Sequence, residues 1–312
     1  MLLFLRHLLD HPVIRQLTAR LQSPWHPDLR RITKQSTIDL QPSSTRLRAQ
    51  EVTSWDNVAQ SFRQKPHYLD EFLGTLKRQT HLSLIERWGG IPTTGHVLKT
   101  DLFEEAMGPD ALLEEFAREE NLIVGMDVSL TTATRAYERN GQKPISYITA
   151  DVCRLPFIDN SFALIVSPST LDHFVDPGDL STSLRELRRL LTPDGRLIIT
   201  LDNRQNIFDP LLRLANRLGL TPYYLGRSYR IGELCTELEA AGFTVEEKTA
   251  ILHNPRLVAV AVIKVANALN WPPFTQLVRR GLLTAQHLEH TRWRYFTGSF
   301  IAAKAVRKHS SQ

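Results

Sequence analysis

The 312-residue chain is 42% hydrophobic, enough for a buried core, and its 38 basic against 33 acidic residues give a net charge of +5. No apolar run approaches the ~18 residues of a spanning helix, and the two cysteines, Cys153 and Cys235, have neither paired spacing nor metal-ligand neighbours, which argues against a disulfide framework or a zinc site. The scattered charge leaves two readings open, a solvated basic surface or an anionic partner such as a membrane surface or an acidic substrate; without an aromatic-basic recognition motif, nucleic acid is not the expected partner.

The start, MLLFLRHLLDHP, has no basic region before its apolar patch and no small-residue cleavage site, so the expectation is no signal peptide and a cytoplasmic location. Leu2, Leu5, Leu8 and Leu9, then Ile14, Leu17 and Leu21, have helical spacing; such a face packs on its own protein or docks on a membrane. Residues 23–54, rich in Pro, Ser, Thr, Arg and Gln, read as an extended or loop segment. Helical pattern returns over 68–88, where Leu69, Phe72, Leu73, Leu76, Leu84 and Trp88 share a face and Gly89-Gly90 and Pro92 end it.

A strand is expected over 95–100, a loop over 101–108 and a helix over 109–120, the last from Pro109 and Asp110 at its start and Leu112, Leu113 and Phe116 inward. Residues 121–127 form a short apolar run ending in Asp127, followed by a helix over 131–140 that Gly141 and Pro144 close. A β-branched and aromatic run from Ile145 ends in Asp151, and a second apolar run stops at Ser167-Pro168-Ser169. An acid at the end of a strand suits a ribose, because one carboxylate accepts from both vicinal hydroxyls; it is also a common helix cap. Ser129 and Thr131-Thr132 offer caps of their own, which leaves Asp127 freer for the first role.

The helix over 180–191 has a basic face (Arg185, Arg188, Arg189) read as solvated, and Thr192-Pro193-Asp194-Gly195 turns the chain into a strand over 197–201. Asp202, Asn203 and Arg204 follow it, as substrate contacts or as an ordinary polar loop. A helix over 229–241 and strands over 243–252 and 300–307 complete the pattern, with a long insertion at 253–298, helical and apolar at 257–269 and 274–288, where a hairpin would suffice. This insertion reads as a lid over a hydrophobic ligand or as a packing or dimer surface.

Asp151-Val152 with Leu155-Pro156-Phe157, then Asp159-x-x-Phe162, a buried strand and Leu171-Asp172-His173-Phe174 resemble the central block of class I S-adenosylmethionine (SAM)-dependent methyltransferases of the small-molecule type. The Pro-Asp-Gly turn and Ala241-Gly242-Phe243 extend the likeness over roughly 97–307. One departure stands out. The family has an acidic residue on the first strand and a glycine-rich turn after it, whereas this chain reads Lys99-Thr100-Asp101-Leu102-Phe103-Glu104-Glu105 with no glycine until Gly108. SAM carries no phosphate, so acids at this turn are tolerable where a pyrophosphate would be repelled. Neither G-x-G-x-x-G nor a phosphate loop is present, which argues against a nicotinamide or flavin enzyme.

The resemblance implies a Rossmann-like, doubly wound α/β sheet, mostly parallel with an antiparallel last strand. It implies a methyltransferase domain over 94–312 behind a mainly helical extension or lid over 1–93. SAM is the implied cofactor and a small acceptor, hydrophobic on one reading of the insertion, the implied substrate; peripheral membrane contact and oligomeric state stay open. Cofactor contacts are expected from Tyr68, Thr100, Asp101, Asp127, Val128, Asp151, Val152 and Ser167, with Asp127 at the ribose and Asp151 at the adenine amine. Asp172 and His173 are expected to face the acceptor, His173 as a base or as a structural residue. A catalytically silent member used for binding or assembly is the alternative, since Asp101, Glu104 and Glu105 could close the pocket.

Overall fold

A computed structural model of the chain describes residues 32–33, 42–62, 69–118, 120–141, 143–221 and 224–308. The leucine-rich pattern over 2–21 and Tyr68 lie outside the described residues. In chain order the elements are α1 (Pro42–Ser61), α2 (Glu71–Arg87), β1 (His96–Lys99), α3 (Phe103–Met107), α4 (Leu113–Phe116), β2 (Ile123–Asp127), α5 (Leu130–Asn140), β3 (Ile145–Thr149) and β4 (Phe162–Pro168). Then come α6 (Gly178–Leu190), β5 (Leu191–Asp202), α7 (Asp209–Arg217), α8 (Ile231–Ala240), β6 (Phe243–Ile251), α9 (Arg256–Ala268), α10 (Pro272–Ala285), a 3-10 turn (Gln286–His290), α11 (Arg294–Thr297) and β7 (Phe300–Arg307).

The strands form one seven-stranded sheet in the order β3-β2-β1-β4-β5-β7-β6. β1 to β5 pair in parallel, and β7 runs antiparallel between β5 and β6. The fold is the expected doubly wound α/β sheet. The chain leaves β1 for β2 and β3 on one side and returns to β4 on the other, so the carboxyl ends of β1 and β4 flank a switch point. In such sheets a crevice opens there, because the connecting helices diverge to opposite faces. The Pro-Asp-Gly turn is absorbed into β5: Phe162 pairs with Leu191 and Leu164 with Arg196, so residues 192–195 loop out of the ladder.

Each face of the sheet has its own core. Leu98, Val124, Phe162, Ile165, Leu184 and Leu187 are buried on one side, and Val97, Ile123, Leu164, Leu84, Leu113 and Phe116 on the other. Alternate residues of β1, β2 and β4 thus feed opposite layers, as period-2 geometry requires when helices cover both faces.

Three segments differ from the sequence expectation. Residues 42–54 belong to α1 rather than to a loop. This helix has a weak apolar stripe, and Ala59 and Phe62 near its end are buried against the rest of the fold, so packing overrides local composition. The region 101–120 also reverses: 103–107 is helical, and the expected helix over 109–120 shrinks to α4. Glu105 is responsible, since its carboxylate accepts from the N–H groups of Leu112 and Leu113 and holds 108–113 in a turn. Finally, Arg188 and Arg189 are not merely solvated. Arg188 donates to the Gly242 carbonyl, and Arg189 ties Glu186 and Asp159 to the Phe157 and Leu155 carbonyls.

Candidate functional site

At the carboxyl ends of β1–β4 lies a cavity of about 870 Å³, part of it open to solvent. Thr100 and Asp101 follow β1, Asp127 and Val128 end β2, Asp151 and Val152 follow β3, and Ser169 and Thr170 follow β4; all of them line this cavity. The Ala150 N–H donates to the Asp127 carbonyl at 2.9 Å, so the acidic residues at 127 and 151 sit at neighbouring strand ends on one edge of the sheet. Trp55 of α1, Phe103 of α3 and His173 close the cavity from above, with Trp55 edge-on to His173 at 5.3 Å between ring centroids. Asp56 anchors α1 there by accepting from the Ser129 hydroxyl and the Thr131 N–H.

A second cavity of about 900 Å³ adjoins the first and shares Glu104, Ser169 and His173 with it. Its walls are mostly apolar, from α2 (Leu73), α7 (Leu212), the α7–α8 loop (Leu225), β6 (Leu252 just beyond it) and α9 (Leu257, Val260). Besides the three residues shared with the first cavity, its polar residues are Lys77, Asp202, Thr221, Asn254 and Arg256. The helix over 71–87 therefore walls this second chamber, while α1 covers the first. Of the polar residues at the end of β5, Asp202 reaches the chamber; Arg204 is exposed and paired with Glu233.

Residues 104–199 match the family model described as a methyltransferase domain. That stretch holds β2, β3, β4 and most of β5, so the likeness to methyltransferase domains falls on the strands whose ends line the first cavity. The chain is 30% identical over 135 residues to the uncharacterized protein YafE of Escherichia coli, covering 42% of this chain and 63% of that protein. Over 118 residues it is 32% identical to the ubiquinone/menaquinone biosynthesis C-methyltransferase UbiE of Haemophilus ducreyi, covering 32% of this chain and 44% of that one. The chain thus spans less than two thirds of these curated relatives. Among solved structures, magnesium protoporphyrin IX methyltransferase of Synechocystis PCC 6803 with bound SAH aligns with a TM-score of 0.52, covering 85% of this chain and 100% of that one; at 14% identity the likeness is one of fold.

The match to the methyltransferase family model starts at 104, near the end of the glycine-poor turn, and leaves β1 and most of that turn outside. What fills that turn is an ion cluster. Lys99 is fully buried, and its ammonium lies 2.9 Å from Asp101, 2.9 Å from Glu105 and 3.3 Å from Glu104. Lys77 adds a second cation, 2.9 Å from Glu104 and 2.7 Å from Asp110. Burial alone would depress the Lys99 ammonium, but Asp101, Glu105 and Glu104 outweigh it and hold its pKa well above the ordinary range. Burial and then Glu104 push the Asp101 carboxyl well up; burial would raise Glu104 too, but Lys77 and Lys99 hold it well below the carboxylate range. Of the three acids, Asp101 is therefore the one whose charge is held most weakly. The three carboxylates lie within 4.8 Å of one another, a spacing a metal would use, but Lys99 supplies the counter-charge.

Asp127 is less free than its sequence context suggests. Ser129 does cap α5, accepting from the Thr132 N–H, yet Asp127 also accepts from the Ser129 N–H at 2.8 Å and the Leu102 N–H at 3.0 Å. Burial raises its pKa to about 6 despite those two donors. A carboxylate offers about four lone-pair sites, so capacity for two hydroxyls remains.

Two expected contacts are displaced. Ser167 is buried behind the cavity wall, where it accepts from the Thr100 hydroxyl at 2.9 Å; Ser169 and Thr170 take its place at the surface, because β4 runs on to Pro168. Asp172 lines neither cavity. It is buried, accepts from the Asp202 N–H at 2.6 Å and the Ser169 hydroxyl at 3.2 Å, and stands 3.9 Å behind the His173 Nε2. Burial raises its carboxyl, opposed by His173. Gly226 permits this arrangement: a Cβ there would lie 1.9 Å from the Asp172 carbonyl oxygen. His173 itself lines both cavities.

Sequence reasoning missed Trp55, Lys77, Lys99, Phe103, Asn254 and Arg256. Lys99 alone carried a visible signal, a base on the strand where the family has an acid, followed by Asp101, Glu104 and Glu105.

Proposed function

We propose that this chain transfers the methyl group of SAM to a small, largely apolar acceptor held in the second chamber. The observation that carries the reading is the partition: two cavities of similar size meet at Ser169 and His173, one ringed by the strand-end acids and one by leucines. When bound, SAM supplies an electrophilic methyl on a sulfonium; the protein aligns the partners and excludes water. Asp127 and Val128 hold the ribose, Asp151 and Val152 the adenine, and Thr100 and Asp101 the amino-acid end. The acids at the strand ends fit the hydrogen-bond donors of the cofactor, namely its ammonium, ribose hydroxyls and adenine amine. Trp55 seals the cavity, and His173, held between Trp55 and Asp172, receives the acceptor's proton. The relatives named as quinone-pathway methyltransferases make ring hydroquinones the first acceptor class to test.

Calorimetry with SAM, followed by transfer of labelled methyl to a panel of hydroquinones, phenols and aliphatic acids, tests this reading. Binding without transfer to any of them would favour a silent binding protein, and no heat would remove the cofactor assignment. His173→Gln is expected to lower kcat by about 10²-fold with SAM affinity changed less than twofold; an unchanged kcat would leave His173 structural.

The pH dependence follows from Asp127. Its folded pKa, about 6, lies above the usual 3.8. In the cofactor-free protein it contributes stability that is full below 3.8 and lost as pH rises through 6. The ribose needs the ionised form, so SAM affinity should fall as pH drops below 6, by up to about tenfold per pH unit. Titration at pH 6 in two buffers of different ionisation heat should show proton release, absent in Asp127→Asn. Equal apparent heats in both buffers would rule out this coupling.

A further inference from the structure

The chain around the second chamber has an outer surface unlike the rest of the molecule. On α7 and at its C-terminal cap, Leu211, Leu214 and Leu218 are each half exposed or more; at about 100° per residue they fall on one narrow stripe facing solvent. Phe296 of α11 continues the stripe, joined to it by the Ile207 N–H donating to the Phe296 carbonyl, and Trp293 packs on Phe296 at 6.0 Å. Exposed leucines and aromatics gathered in this way, rather than scattered singly, mark an interaction surface.

Charge selects the partner. Residues 204–230 carry five arginines against one acid, and 256–294 carry six basic residues against one acid, whereas the whole chain has an excess of only five. The two segments that wall the second chamber are thus strongly basic and the remainder is net acidic. Arg213 and Arg256 turn inward to Asp202, but Arg217, Arg230, Lys264, Arg280 and Arg292 are exposed. A leucine stripe with aromatic edges and basic flanks matches acyl chains beneath anionic headgroups. Among the described residues no helix is long and apolar enough to cross a membrane, so the match is to lying on the surface.

The patch also leads inward. A groove between α7 and α9, lined by Phe208, Leu211, Leu212, Leu257 and Val258, shares Leu212, Arg256 and Leu257 with the second chamber. We propose that α7 and α11 seat the protein on an anionic lipid surface, and that a lipid-dissolved acceptor enters the second chamber through the α7–α9 groove. The entry route rests on the reading of that chamber as the acceptor site; the docking does not.

Flotation of the full chain with phosphatidylcholine vesicles, with and without 30% phosphatidylglycerol, tests the docking. Expected is binding to the anionic vesicles at least tenfold tighter than to the neutral ones, weakened by salt, and lost at least tenfold in the double variant Leu211→Glu/Leu214→Glu. SAM calorimetry on the same variant should match the wild type, which separates lost docking from misfolding and from failure of the cofactor assignment. The proposal is overturned if the wild type floats with neither vesicle, if the double variant floats like the wild type, or if sedimentation shows a dimer that the variant splits while vesicle binding is absent.

Discussion

Asp127→Ala is expected to weaken SAM binding at least a hundredfold. On the proposed placement its carboxylate accepts from both ribose hydroxyls, and hydrogen bonds to a charged group contribute about 1.5–3 kcal/mol each. Two such bonds correspond to roughly 10²–10⁴ in affinity. The same substitution orphans the Leu102 and Ser129 N–H groups, of which the first sets the turn after β1. Leaving buried donors unpaired costs about 1–3 kcal/mol apiece, so a loss of stability accompanies the loss of affinity. Asp127→Asn narrows the loss of stability: its one acceptor oxygen keeps one of the two N–H groups while its amide donor faces the other, so it should unfold about 1–3 kcal/mol below the wild type, less than Asp127→Ala, and it still loses the charge. SAM calorimetry and urea unfolding on both variants decide the matter, and wild-type affinity in either would remove Asp127 from the site.

The largest effect on stability is expected at Lys99. Its ammonium is the shared counter-ion of Asp101, Glu104 and Glu105, with no exposure to water. Lys99→Met keeps most of the side-chain volume and removes the charge. Breaking a buried ion pair by deleting one partner costs about 3–5 kcal/mol, because the opposite charge stays buried. Lys77 still compensates Glu104 and Asp110, which places the expected loss toward the lower end of that range. The sign with pH follows from Asp101. Burial already holds its carboxyl well above the usual range, and without Lys99 it rises further. A group raised in the folded state contributes stability that is full below its unfolded pKa and lost as pH rises through its folded one. The deficit of the variant should therefore be largest at pH 7.5 and shrink toward pH 5. Urea midpoints at the two pH values test this, and a deficit below 1 kcal/mol or independent of pH would show the cluster to be no more than a surface network.

The ion cluster also accounts for the glycine-poor turn. In place of a backbone that approaches the ligand, β1 ends in a lysine that draws Glu104 and Glu105 inward, and α3 forms over them. That is why 103–107 is helical where the sequence suggested a loop: the acids in its first turn face buried cations, which local pattern does not reveal. Gly125 completes the packing, since a Cβ there would lie 2.5 Å from Leu102 and from Leu113, the residues that α3 and α4 press onto the sheet.

Much of the site was legible because strands announce their ends. Asp127 and Asp151 close apolar runs, and parallel pairing of β2 with β3 forces such residues to one edge of the sheet. Ser167 was misplaced for a matching reason: β4 runs on to Pro168, which keeps Ser167 buried in the ladder and starts the loop only at Ser169, and the sequence does not say where β4 stops.

What the sequence by itself determined is the order of strands and helices, the two strand-end acids and the long insertion before the last strand, since all of these are written in local hydrophobic period and breakers. Tertiary structure alone decided that α1 covers the first cavity, that Lys99 neutralises three acids, and that the insertion and α7 enclose a second chamber. Those features depend on contacts between residues far apart in the chain, such as Trp55 with His173 and Asp202 with Arg256, whose energies arise only when packing has removed the water between them.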